Sequence, residues 1–332
     1  MDQPARLVGY RGPVSKKTQR RASGTLTTSA KDESAENPRR PCPCGSGKRY
    51  KACHGAADAA DMIITRPFAG LAAETELIAL REFVPSASAP LTLLPAIADS
   101  TDRSVTLASV LPGAAAALTR SDGSVLLGMQ VQTHSGDLSR DLAAALEWAL
   151  AAEPSTVLSV IGRASVGPRL GDMVVDEPLE VTVHPDFSWW LEEEAEPGSE
   201  VALSLERANS AITPTSRVAG LAAAYWVDAG NRAHLRWVRP EDEQPLMAAL
   251  ARLAVADELG LGEGSRYVGS FRAQGRLVPV WDLDHEAHPS EWDAPALAFA
   301  GRLERALQSD APLSDAERRA RDGILGRQVT LR

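Results

Sequence analysis

Apolar residues first take up a regular spacing at Glu74–Phe83, where Leu77, Leu80 and Phe83 share one face of a predicted helix. Further on, Val125, Leu127, Met129 and Val131 alternate with Leu126, Gly128, Gln130 and Gln132, which is the period of a strand. The stretch Ser121-Asp122-Gly123-Ser124 ahead of it is a hairpin turn signal. A helix should follow, with Leu138, Leu142, Leu146, Ala149 and Leu150 on one face, a cap within Ser135–Asp137 and a stop at Glu153-Pro154.

The same order returns about a hundred residues later. Ala222–Val227 and Ala233–Val238 flank the turn Asp228-Ala229-Gly230-Asn231, and a helix over Glu241–Leu259 carries Leu246, Leu250 and Leu253 on one face, with Gly260 as its stop. Arg266–Arg272 and Leu277–Leu283 form a further hairpin through Ala273-Gln274-Gly275, and Pro279 places its second strand at a sheet edge. Ser290-x-x-Asp293 and Ser314-x-x-Glu317 read as caps of two terminal helices. The pattern predicts an α+β body in two hairpin–helix halves, residues 66–190 and 200–332, whose recurrence suggests a duplication. The acidic, Pro- and Gly-containing stretch Leu191–Ser199 lies between them.

Before the body the pattern disappears. Residues 1–40 are rich in Ser, Thr, Lys, Arg and Pro and predict a disordered basic segment, while Ala56–Met62 could run on as a short helix ahead of Pro67. Charge follows the same division. Residues 1–54 carry 12 basic and 4 acidic side chains, a balance of +8, which leaves 23 basic and 40 acidic, a balance of −17, for the rest. A basic head on an acidic body hints at contact with polyanions. For single-stranded nucleic acid, however, the head offers only Tyr10 and Tyr50 as stacking platforms, so that reading is a weak one.

All three cysteines fall within Cys42-Pro43-Cys44-Gly45-Ser46-Gly47-Lys48-Arg49-Tyr50-Lys51-Ala52-Cys53-His54, spaced C-x-C-x8-C-H. None is left for a disulfide, which suits a reducing compartment. Three thiolates and an imidazole make a closed Cys3His set for Zn2+, with Cys42, Cys44, Cys53 and His54 as ligands at ~2.0–2.3 Å. Thiolates admit iron as well. Four protein ligands leave no position open for water or substrate, so the metal is a scaffold. A segment this short cannot bury a core, and metal binding worth ~10–16 kcal/mol can hold it instead. Gly45-Ser46-Gly47-Lys48 is not a phosphate-binding loop, because Cys42 stands where its first glycine belongs and Arg49 where Ser or Thr belongs.

The run Pro41–Gly55 closely resembles the SEC-C motif, the metal-binding tail of the bacterial preprotein translocase motor ATPase. That resemblance implies the same four ligands, and a knuckle over residues 41–55. It further implies that Lys48, Arg49 and Lys51 are exposed basic contacts, that Tyr50 packs beside the site, and that the partner is a protein such as the SecB export chaperone or the ribosome. Nothing else in the chain is similar to the motor. From about Arg66 onward the chain resembles an uncharacterised actinobacterial family that carries this motif near its N-terminus, and no activity comes with that likeness.

The body offers weaker candidates. Asp282, Asp284, His285, Glu286 and His288 could bind a divalent cation, though they lack the spacing of a helical zinc site. His134, Ser135, Asp137, Arg140 and Asp141 bring polar groups to a strand-to-helix turn, where capping accounts for them. Phe187, Trp189 and Trp190 could form a stacking wall, with a half-buried strand as the plainer reading. Arg302, Arg305, Arg318, Arg319 and Arg321 fit an exposed helix face. There is no nucleophile elbow, dinucleotide fingerprint or kinase signature. Without a long apolar run at Met1–Tyr10 or a membrane-length stretch elsewhere, a cytoplasmic protein is expected. The sequence therefore reads as a zinc-knuckle adaptor that docks a protein partner, with no catalysis expected. Its rivals are an enzyme with a site between the two halves and an RNA- or ribosome-associated factor.

Overall fold

A computed structural model describes residues 63–162 and 167–326. The basic segment, the Cys42–His54 knuckle and the expected helix at 56–62 lie outside those residues. The chain divides into two units, Met1–Ala56 and Ala57–Arg332, and the described residues all belong to the second.

Seven α-helices and eleven strands make a mixed α+β body with two sheets among the described residues. Helix α1 (Glu74–Glu82) leads into β1 (Ala87–Leu91), the short helix α2 (Pro95–Ala98), β2 (Val105–Ala108), β3 (Ala117–Thr119) and β4 (Val125–Gly128). Then come α3 (Leu138–Ala151), β5 (Val157–Leu158), β6 (Thr182–Val183) and α4 (Glu200–Ser210). The first sheet has the order β5-β3-β4-β2-β1-β6, and β2 and β4 run parallel within it. All of β4 is buried, because as an inner strand it is covered on both faces. The expected alternation from Val125 to Val131 therefore ends at Gly128. A Cβ on Gly128 would lie 2.4 Å from the Ala115 carbonyl oxygen, so glycine is what allows that loop to approach.

The second sheet is antiparallel, in the order β10-β11-β9-β8-β7, built from β7 (Thr215–Arg217), β8 (Ala224–Asp228), β9 (Ala233–Trp237), β10 (Ser265–Ala273) and β11 (Arg276–Leu283). Helices α5 (Glu243–Val255), α6 (Asp293–Leu307) and α7 (Asp315–Leu325) complete the chain. Hairpin then helix does occur twice, as β3–β4–α3 and β8–β9–α5, but the sheets around them differ in order and only the first contains a parallel pair.

Side-chain alternation gives the second sheet two apolar faces. Leu235, Trp237, Leu277, Trp281 and Leu283 pack with Leu246 and Leu250 of α5, Phe299 and Leu303 of α6 and Ile324 of α7. On the other face Tyr225, Val227 and Val278 join the core of the first half, together with Leu77, Ile78, Leu107, Leu127 and Leu146. Four consecutive residues of α1, Leu77 to Leu80, are essentially inaccessible, so the middle of this helix is buried all round rather than on one face.

Several local expectations change. Pro279 does not mark an edge: β11 lies between β10 and β9, and its pairing with β9 begins one residue later, at Val280. Helix α5 stops at Val255 instead of reaching Gly260. Asp257 takes the left-handed position (φ 59°), and the Glu258 N–H closes on the Leu253 carbonyl at 2.8 Å. Ser314 caps α7 with Glu317 as expected, whereas Ser290 caps nothing; the His288 side chain accepts from the Ser290 N–H in a 3-10 turn that precedes α6. Trp189 and Trp190 lie in a 3-10 turn rather than a strand, their indole N–H groups donating to Ser86 Oγ (2.9 Å) and the Val110 carbonyl (3.0 Å).

Candidate functional site

The metal-ligand candidates Cys42, Cys44, Cys53 and His54, and the contact candidates Lys48, Arg49, Tyr50 and Lys51, all lie outside the described residues. Their chemistry rests on the donor set: three thiolates and an imidazole suit zinc.

In the body, most polar candidates already have structural partners. Asp282 is held by Arg232 at 2.6 Å, Arg266 at 2.9 Å and His234 at 3.3 Å. Among the described residues no group of three or more His, Cys, Asp or Glu side chains is placed to hold a metal, so the Asp282–His288 loop is not a cation site there. Asp137 caps α3 and pairs with Arg169 at 2.7 Å, and Asp141 accepts from the Ser135 N–H at 2.7 Å. The rings of Phe187 and Trp190 stack on each other with centroids 4.0 Å apart, which leaves no slot between them. Arg318 and Arg321 pair with Asp315 and Asp322, and Arg302 donates to the Gly260 carbonyl at 2.7 Å.

Two carboxylates that the sequence pattern does not single out join the halves. Glu76, in the first turn of α1, accepts from Arg217 (2.7 Å), the Ala223 N–H (2.8 Å) and the Tyr225 hydroxyl (2.6 Å). Burial, and then the charge of Glu76, push the Tyr225 hydroxyl well above its ordinary pKa, so it stays a donor. Glu74 accepts from Arg66 and Arg276, each at 2.9 Å at its closest. Burial alone would raise its carboxyl, but the two guanidinium groups outweigh that and hold it below the usual carboxylate value. Acidic residues in the first turn, directly ahead of the apolar run Leu77-Ile78-Ala79-Leu80, were the available signal.

Beside these locks, a cleft of about 850 Å³ opens between the first half and the second sheet. One wall comes from the end of α1 and the loops that follow α1 and β4, with Glu82, Phe83, Pro85 and Gln130; the other is formed by Ile212–Pro214, the β8–β9 turn, His234, Arg236 and Val280. Gln130 is fixed there by donating to the Leu80 and Val84 carbonyls at 2.7 and 3.0 Å. Burial, and then the neighbouring Arg236, lower the His234 pKa, while Asp282 opposes them; the ring is therefore neutral at physiological pH. The cleft brings together residues from both halves that lie far apart in sequence.

No helix among the described residues is long and apolar enough to cross a membrane. Neither a curated protein nor a solved structure matches the chain. Residues 41–56 match the SEC-C motif. Residues 67–332, which include both sheets and the cleft, match the family of unknown function DUF5926, and the chain belongs to that family.

Proposed function

We propose that the protein is a cytoplasmic, metal-held docking adaptor, in which a SEC-C knuckle presents a protein-binding surface and the acidic α+β body is the effector or regulatory part. The observation that carries this reading is the donor set Cys42, Cys44, Cys53 and His54 within the segment that matches the SEC-C motif. A closed Cys3His shell fits Zn2+, which when bound supplies folding energy to a segment with almost no core of its own. Lys48, Arg49 and Lys51 then lie on one short metal-held loop and can act together on an acidic protein surface, with Tyr50 as an apolar support.

Local charge argues for protein over nucleic acid. Three thiolates, a neutral imidazole and Zn2+ sum to about −1 at the site, which weakens a purely electrostatic grip on phosphate. Shaped contacts with a protein are less affected. The partners favoured by the resemblance are an export chaperone like SecB and the ribosome.

The test is binding of full-length protein to purified chaperone and to ribosomes, beside a Cys42→Ser variant and a Lys48→Ala, Arg49→Ala, Lys51→Ala triple variant. Both variants should lose the partner. RNA affinity should stay in the non-specific range of ~10⁻⁴–10⁻⁶ M at physiological salt. Nanomolar binding of a defined RNA that the triple variant abolishes would replace the adaptor with an RNA-associated factor.

A further inference from the structure

Arg236 is one of three arginines among the described residues, with Arg81 and Arg120, whose Nε is buried without a hydrogen-bond partner, and of the three it alone lines the 850 Å³ cleft. It lies on β9, the central strand of its sheet, opposite Tyr225 of β8 and Val280 of β11. Its neighbours on that face are mostly apolar, and its guanidinium lies 5.7 Å from the Phe83 ring centroid. The Nε atom is buried and has no hydrogen-bond partner, and no carboxylate among the described residues forms an ion pair with the group. Most other arginines at the contacts between elements have an acid or a carbonyl: Arg217 has Glu76, Arg276 has Glu74, and Arg252 has the Ala306 and Ala311 carbonyls.

An arginine cannot shed its proton at any physiological pH, so its charge must be tolerated where it stands. Partial removal of a guanidinium from water without an opposing charge works against folding, and a leucine or methionine would fit an apolar sheet face better. What Arg236 gains in exchange is a position in the cleft wall. The acids on the same walls are engaged elsewhere: Glu82 accepts from the Gln274 amide at 2.7 Å, and Asp228 accepts from the Gly230 N–H at 2.7 Å within its own turn.

We propose that this cleft binds a small carboxylic acid, its carboxylate on the Arg236 guanidinium and its apolar body against Pro85, Ile212 and the accessible edge of Phe83. A planar fork of N–H donors matches a carboxylate in bidentate fashion. The cleft volume lies within the ~300–1,000 Å³ typical of small-molecule sites. Glu82 and Asp228 at the rim select for a single negative charge, since a dianionic phosphate would meet two carboxylates there. Because Phe83 and Gln130 come from the first half and Arg236 from the second, an occupant would touch both.

The experiment is calorimetric titration of the full-length protein with phenylacetate and hexanoate, and separately with inorganic phosphate, at low ionic strength. One saturable site for at least one of the two carboxylates is expected, weakened at least tenfold in Arg236→Gln and retained in part in Arg236→Lys. The same titration followed by NMR should move the Arg236 Nε–Hε resonance of the unmodified protein, a readout that holds even if a variant folds poorly. Absence of saturable binding by both carboxylates, an unchanged affinity in a folded Arg236→Gln, or an Nε–Hε resonance that stays still would overturn the proposal. Tighter binding of phosphate than of either carboxylate would overturn the ligand class.

Discussion

Glu76 shows how a single residue ties helix α1 of the first half to the second sheet. Its side chain is only about 6% exposed, yet it is satisfied by donors from Arg217, Ala223 and Tyr225, all in the second half. Buried ion pairs often contribute little net stability when complete, because desolvation offsets attraction. Breaking one is different, because it strands the partner. Glu76→Ala should destabilise the body by about 3–5 kcal/mol, since it leaves a guanidinium, a hydroxyl and a backbone N–H without their acceptor. Glu76→Gln, which keeps one acceptor oxygen, should cost clearly less. Urea denaturation of both variants checks this, and equal losses would mean that packing, not the carboxylate, holds the junction.

At the scale of elements, the β10–β11 hairpin was readable because its two apolar runs flank Gln274-Gly275. Both residues have positive φ (44° and 76°), as a two-residue turn of this hand requires. Glycine is also needed for space: a Cβ at Gly275 would lie 2.2 Å from Arg66 Cγ and 2.9 Å from the Thr65 carbonyl oxygen. Gly275→Ala should therefore cost more than the ~1–2 kcal/mol of a left-handed alanine alone, because it also pushes away the segment that delivers Arg66 to Glu74. A melting temperature within a degree of the parent would contradict this. Helices α3 and α5 were legible for a similar reason, each having one apolar stripe against a sheet. Strand β1 was not, because Ala-Ser-Ala-Pro-Leu has neither β-branched residues nor a clear alternation, and only its pairing with β2 and β6 makes it a strand. Strands β5 and β6 are two residues long, too short for any period to register.

For the whole molecule, the sequence predicts two halves, and the structure gives each a sheet. One core nevertheless takes residues from both: Leu77, Phe83 and Leu107 share it with Tyr225, Val227 and Val278. We expect the body to unfold in a single cooperative transition, with amide protection at Leu107 and Leu235 lost at the same denaturant concentration. Two separated midpoints would show that the halves are independent domains. The two candidate sites differ in legibility for a plain physical reason. Metal-ligand chemistry is local, so the spacing of Cys42, Cys44, Cys53 and His54 announces itself in thirteen residues. The cleft joins Phe83, Gln130 and Arg236, which no sequence period connects.

The adaptor account depends most directly on the metal. Native mass spectrometry of full-length protein, purified without chelator, measures it in one step. One zinc or iron ion per chain is predicted, absent or markedly reduced in Cys42→Ser and in His54→Ala. A mass equal to that of the metal-free chain, or a metal retained undiminished by both variants, would contradict the account.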